Sequence, residues 1–405
     1  MLLALALAQA QVITNVKTPV KTDYTGTFFM VLPKNEARWW MITGGGGLTV
    51  TEADSSFTPV AQGFSASGRS DLIDHGLAKC PDGTWLHVAS VNLAEFNDSA
   101  FALRYSGNFQ TKLASGWVEK EVSARTHNDA PVVCGDRWQG VSFRNEGTQP
   151  SNTWFALDED VAVTDQVTHS GKPQATGAAF HELDNGNVLM VGFLDYMTGP
   201  IYFREYDQDL NAVSTTQVNL PPNDEGQWWS QGLLKVGDVW LVANMSRKDD
   251  TFSADEGNVW LHVFDSSFSL MESVQVSDHS GQRGGMRPHL SRSGSRVVVS
   301  WDSELKGHYA VVKIDLEAAG VEDDGEDTSP PEDTSPPEDT SPPEDTSPPE
   351  DTTPPEDTQP QDSDRRDQPE PTVEESCRDG CATGGGGPGL AALMLLAMAR
   401  RRKRA

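Results

Sequence analysis

Along most of the chain, apolar and polar positions alternate in short runs broken by turn residues, a pattern that predicts half-buried strands. One unit recurs: an apolar strand, a tight turn, and a second apolar strand. It is seen in Gly76–Ser90, Ala130–Phe143, Ala178–Phe193, Gln231–Asn244 and His289–Trp301, with a looser copy at Gly26–Thr43. Asp-Gly, Asn-Gly and Gly-Asp at the turns supply the positive φ that a tight hairpin needs. A second unit follows each first one, a strand ending in Asp-x-x-apolar: Asp54–Phe57, Asp158–Val161, Asp207–Leu210 and Asp265–Phe268, with weaker copies at Ser106–Phe109 and Asp315–Ala318. The starts of this second unit are 52, 52, 49, 58 and 50 residues apart.

A period of about fifty residues with four short strands per unit predicts an all-β fold, a β-propeller of six blades of four antiparallel strands. A β-sandwich would explain the short strands but not the period. The last unit stops after Asp315 without a fourth strand. The segment Ile13–Val20 supplies one, matching the outer strand expected in the first blade at Thr58–Ala61, and would leave no open edge there.

Composition divides the chain of 405 residues near residue 320. Residues 321–379 hold 22 acidic and 3 basic side chains (−19), and residues 380–405 hold five basic ones (+5). The net charge of −29 therefore leaves −15 for residues 1–320. An acidic domain without a basic stripe repels phosphate backbones, which excludes nucleic acid as an expected partner. A globular part of this size buries roughly three quarters of its unfolded surface and needs no disulfide framework. Cys80 and Cys134 lie within it and can bridge in an oxidising compartment, whereas Cys377 and Cys381 lie near the C-terminus. Four cysteines allow three connectivities, and spacing does not choose among them.

The two ends carry their own signals. Residues 1–10 form a Leu/Ala run ending in Ala8-Gln9-Ala10, the small-x-small pattern of a signal peptide cleavage site, without a positive n-region. The propeller is expected over residues 12–320 and an acidic, proline-rich, disordered stalk over 321–376. Within the stalk, hexapeptides Glu-Asp-Thr-Ser-Pro-Pro start at Glu326, Glu332, Glu338 and Glu344; a fifth copy has Thr353, and the last decays to Glu356–Gln361. Paired prolines and repeated acidic pairs cannot bury a core, and they extend the chain to about 3.1 Å per residue. Residues 377–405 follow: Cys377-Arg-Asp-Gly-Cys381, a glycine-rich turn, the apolar run Leu390–Ala399 expected as a short hydrophobic helix, and a basic cluster ending at Arg404.

That order of cysteine, glycine-rich turn, short apolar helix and arginine cluster resembles the MYXO-CTERM sorting tag of myxobacterial surface proteins. The resemblance implies a C-terminal sorting protease as a partner, and Cys377 as the processed anchor with Cys381 as the alternative. It also implies localisation at the cell surface or outer membrane of a Gram-negative, myxobacterium-like cell.

Within a propeller, the connections between blades and the middle hairpin loops share one face. On the sequence pattern that face is expected to carry Arg69, Asp74, His75, Arg125, His127, Asp129, Trp228, Trp229, Arg287 and His289 as ligand-binding candidates. Carboxylates, arginines, imidazoles and indoles together suit a polar ligand such as a glycan, with a ring face for a sugar. Polar residues are ordinary in loops, and indoles on inner strands are ordinarily core. Metal-ligand spacing is absent, so no metal and no cofactor are expected. Nothing selects catalytic residues, and no nucleophile elbow or phosphate loop is present. Cys80–Trp85 resembles a broken Asp-box of sialidase-like propellers, a likeness at fold level only. The reading is a surface-anchored propeller that binds a glycan or protein partner. The alternatives are a sialidase-like or other glycoside hydrolase, and a structural surface component.

Overall fold

The structure is a computed structural model. It describes residues 11–26, 28–45, 47–93, 97–119, 132–135, 139–145, 151–170, 174–195, 198–221, 227–247, 257–279, 286–303 and 305–321. The expected signal segment, stalk and C-terminal tag, with Cys377 and Cys381, lie outside the described residues.

After β1 (Ile13–Val16) and β2 (Val20–Thr25), strands come in consecutive antiparallel sets. The first sheet is β3 (Phe28–Asn35), β4 (Arg38–Gly44), β5 (Leu48–Asp54) and β6 (Phe64–Ser65). The second is β7 (Leu72–Lys79), β8 (Trp85–Leu93), β9 (Asn97–Tyr105) and β10 (Lys112–Glu119). The third is β11 (Val132–Cys134), β12 (Gln139–Asn145), β13 (Ser151–Leu157) and β14 (Val163–Ser170). The fourth is β15 (Gln174–Glu182), β16 (Val188–Asp195), β17 (Thr198–Tyr206) and β18 (Ala212–Val218). The fifth is β19 (Gln227–Val236), β20 (Val239–Arg247), β21 (Val259–Phe264) and β22 (Leu270–Gln275). The last has β23 (Met286–Ser293), β24 (Arg296–Ser303) and β25 (Lys306–Ile314), completed by β1 and β2.

The first strand of each sheet faces its neighbours: β7 meets β4 and β11, β15 meets β11 and β19, β23 meets β19 and β3. The sheets therefore close on themselves, and the chain forms an all-β propeller arrangement. Apolar packing follows the same circle. Val298 and Tyr309 of the last sheet share a core with Phe29 and Trp39 of the first; Trp40 shares one with Trp85 and Phe101; Leu86 with Phe155. Trp154 packs with Met190 and Tyr206, Phe203 with Trp240 and Phe264, and Leu261 with Val299 and Trp301. Alternation along each strand gives each sheet two apolar faces, one for each neighbour.

Closure comes from the N-terminus. Ile13 and Val16 pair with Ile314 and Val312, and Val20 and Lys21 pair with Tyr309 and His308. Val12 and Ile13 are enclosed in the core shared by the fifth and last sheets. The outer strand of the first sheet is displaced from the expected Thr58–Ala61 to Phe64–Ser65, leaving one bridge between Ala53 and Pro59. Pro59 has no N–H to donate and cannot sustain a ladder.

The Asp-x-x-apolar units are the turns between third and fourth strands. In the fifth sheet, Asp265 Oδ1 accepts hydrogen bonds from the N–H groups of Ser267 (2.9 Å) and Ser269 (2.8 Å), and Phe268 donates to the Asp265 carbonyl at 3.0 Å. The same contacts recur around Asp54, Asp158 and Asp207. The apolar residue is left-handed in five of the six copies: Phe57, Phe109, Val161, Leu210 and Phe268 have φ between 57° and 64°. A left-handed non-glycine residue costs about 1–2 kcal/mol, while burying its side chain returns about 1.5–3 kcal/mol. Phe109, Val161 and Leu210 are fully buried, so burial prevails. Asp265→Ala should lower stability by about 1–2 kcal/mol, and Val161→Gly should destabilise despite relieving the backbone. Denaturant midpoints check both; a stabilised Val161→Gly would mean that the strain dominates.

Cys80, after β7, is disulfide-bonded to Cys134 at the end of β11, with a Cα–Cα distance of 4.8 Å, so the bond joins two adjacent sheets. The bridge closes a 54-residue separation, and chain entropy assigns it about 4 kcal/mol. Reduction should lower the thermal midpoint, and Cys80→Ala should be insensitive to reductant.

Candidate functional site

At the end of the ring where one sheet connects to the next, the first strands begin irregularly. Register shifts fall between Ile73 and His75 in β7, Gln174 and Ala179 in β15, Trp229 and Gln231 in β19, and Met286 and His289 in β23. A bulge re-aims side chains that plain alternation would bury. Asp74, His75, Trp228, Trp229, Arg287 and His289, expected in loops, are thus strand residues. The side chains of Asp74, Trp228 and Trp229 lie outside the described set, as do Arg125, His127 and Asp129 altogether.

The structure brings three candidates together. Arg287 has φ 52° at the bulge of β23, and its Nη1 stands 3.7 Å from Asp302 Oδ1 on β24. Asp302 is the one buried carboxylate among the described residues. The rings of His75 and His289 flank Phe28 at 5.3 and 4.9 Å between centroids. Burial first, and then the nearby Arg287 charge, push each imidazole down to about 3. Both are therefore neutral at physiological pH, serving as donors and acceptors rather than as charges. His75 Nε2 and His289 Nε2 are enclosed without a hydrogen-bond partner.

His75 is fixed from behind. Its Nδ1 lies 2.9 Å from His87 Nε2, with the rings stacked at 14°, and one proton is shared between the two nitrogens. Burial, then the neighbouring His75, holds His87 well below the usual imidazole range. Gly44 of β4 makes room, because a Cβ there would lie 2.3 Å from the His75 ring. Beside it Thr25, Thr43, Gly45 and Thr49 line a polar cleft of about 120 Å³.

Arg69 is committed elsewhere. Its Nε and Nη2 donate to both oxygens of Asp71, at 2.8 and 2.5 Å, and its guanidinium stacks over Phe101 and Trp117. A second aromatic group went unread in the sequence. Trp301 Nε1 donates to His279 Nε2 at 2.9 Å, and His308 stacks on Trp301. Its signal is His308 inside the otherwise apolar β25, a pattern also shown by His87 in β8. The Asp-box-like segment sits at the opposite end, where Asp82 Oδ1 accepts from the Thr84 N–H and hydroxyl and buried Arg104 holds Oδ2 at 2.7 Å. That arrangement locks a hairpin and leaves no chemistry at the ring mouth. Among the described residues no three His, Cys, Asp or Glu side chains are placed to hold a metal ion. No helix among them is long and apolar enough to cross a membrane.

No family model matches the sequence, and no curated protein matches it. Solved structures with a similar course of the chain include a subtype N10 neuraminidase-like protein of A/little yellow-shouldered bat/Guatemala/060/2010. It has 14% identity and a TM-score of 0.44, with 74% of this chain and 98% of that one covered. A neuraminidase-like protein from A/bat/Guatemala/164/2009 has 9% identity and a TM-score of 0.44, covering 74% and 95%. A bifunctional GH43-CE protein of Bacteroides eggerthii has 12% identity and a TM-score of 0.40, covering 59% of this chain and 32% of its own.

Proposed function

We propose that the chain is an exported, surface-held propeller of six blades that binds a polar ligand, a glycan or a surface protein partner, at the ring mouth around Arg287. The observation that carries this reading is the Arg287–Asp302 pair. A cation in a strained backbone conformation forms an ion pair at 3.7 Å with a buried carboxylate, beside two neutral imidazoles with unused nitrogens. Strain of this kind costs about 1–3 kcal/mol and is retained where the surroundings over-determine it, commonly at ligand sites. Binding is favoured over hydrolysis because a glycosidase needs two carboxylates about the scissile bond, and the sequence pattern selects no such pair. The signal-like N-terminus and the Cys377 tag support export and anchoring.

Screening the purified chain and Arg287→Ala against immobilised glycans and chromogenic glycosides tests the reading. The expected result is saturable glycan binding without turnover, reduced at least about tenfold by the substitution. Turnover abolished by Asp129→Asn or Asp302→Asn would replace binding by hydrolysis. Neither binding nor turnover would leave a structural surface component.

A further inference from the structure

At the opposite end of the ring, a second cleft of about 460 Å³ opens between the last and first sheets. It is lined by Asn15 of β1 and the adjoining Lys17, Ser295 of the β23–β24 turn, Arg296 at the start of β24, Lys313 of β25, and Glu36 of the β3–β4 turn. Three cations from segments nearly 300 residues apart in sequence thus meet around one concavity that holds a single carboxylate. The domain carries −15 overall, so such a gathering runs against its composition. Neither Lys17 nor Lys313 has a carboxylate partner among the described residues. Arg296 is pinned by the carbonyls of Ser55 (3.2 Å) and Glu36 (3.3 Å), and its guanidinium stacks over Trp39. Its place is therefore set before any ligand arrives.

Three like charges held around a single carboxylate raise the free energy of the fold, and a bound anion offsets that cost. The neutral groups present, the Ser293 and Ser295 hydroxyls and the Asn15 amide, suit hydroxyl-bearing ligands. We infer that this cleft is a second binding site, for a small polyhydroxylated anion: a saccharide bearing a phosphate or a carboxylate. The site exists only when the N-terminal strand is docked, because Lys17 and Asn15 arrive with it. Its residues are separate from the ring mouth, so its test does not depend on Arg287.

Calorimetric titration of the purified chain with glucose 6-phosphate, glucuronate, inorganic phosphate and glucose decides the matter. The expected result is saturable binding of the two anionic sugars, weakened by added salt, with no heat from glucose. The double variant Lys17→Ser/Lys313→Ser should weaken that binding at least about tenfold while the thermal midpoint of the unliganded chain does not fall. Arg296→Lys, which keeps the charge but loses the stacked fork, should weaken it less. Absence of saturable binding by either anionic sugar, or binding indifferent to the lysine pair, would overturn the inference. Inorganic phosphate binding as tightly as glucose 6-phosphate would overturn its saccharide part.

Discussion

Acidification from neutral pH should unfold the domain cooperatively between about pH 6 and 4, above the range in which its carboxylates titrate. His75, His262 and His289 are each held near 3 by burial, with Arg287 adding its charge in the first and last. Their ordinary value is 6.5, so below it the unfolded chain binds protons that the folded chain refuses. Stability therefore rises with pH across this window, and is lost as pH falls from about 6.5 toward about 3. Each such group gives up about 2 kcal/mol by pH 5, and three together approach the whole stability of a typical domain. The paired His75 and His87 sharpen the loss, since a second proton would place two like charges at 2.9 Å. Asp54, Asp207 and Asp265 act in the opposite quarter of the scale. Hydrogen bonds from Ser56, Asn211 and Ser267, respectively, hold them below the usual carboxylate range, so their contribution fades only below about pH 4. Circular dichroism against pH checks the window. His262→Gln, which retains a partner for Ser273, should move the midpoint to lower pH. An unaltered midpoint would remove the buried histidines from the explanation.

Deleting residues 12–25 should cost about 5 kcal/mol or more. Val12 and Ile13 are enclosed in the core between the fifth and last sheets, at about 2 kcal/mol each. The segment also accepts from Asp315 through the Val12 carbonyl (2.8 Å), and donates from Lys17 to Val311 (3.0 Å) and from the Thr22 hydroxyl to Gly307 (2.9 Å). Its removal bares the edge of β25, a template for pairing with a second chain. The truncated domain should melt earlier and self-associate, and a synthetic peptide of residues 12–25 should restore the midpoint. A melting curve identical to that of the intact domain would show that the last sheet needs no completing strand.

The arrangement of strands was legible because its causes are local. Asp-Gly and Gly-Asp turns, the fifty-residue period and the Asp-x-x-apolar units all express turn chemistry that one sequence displays. Even the closing strand could be read, from the last unit's missing partner and the apolar Ile13 and Val16. The ring mouth was legible only as a collection of polar residues. Its geometry depends on bulges, and a bulge such as the one between Met286 and His289 leaves no mark in an alternating pattern. His87 carries no mark of its role in the alternation of β8, although it fixes His75. Arg69 was read as a ligand group, and its aromatic partners Phe101 and Trp117 come from strands that only the fold places beside it. The second cleft was invisible for the same reason, since Lys17, Arg296 and Lys313 meet only when the ends of the ring meet.

A density map of the purified chain, viewed along the ring axis, tests the arrangement most directly. The expected result is six sheets around a common centre, the outermost strand of the last traced to residues 13–25 and Arg287 beside Asp302 at the mouth. Two sheets stacked face to face, or a last sheet completed by residues following Ile314, would contradict it.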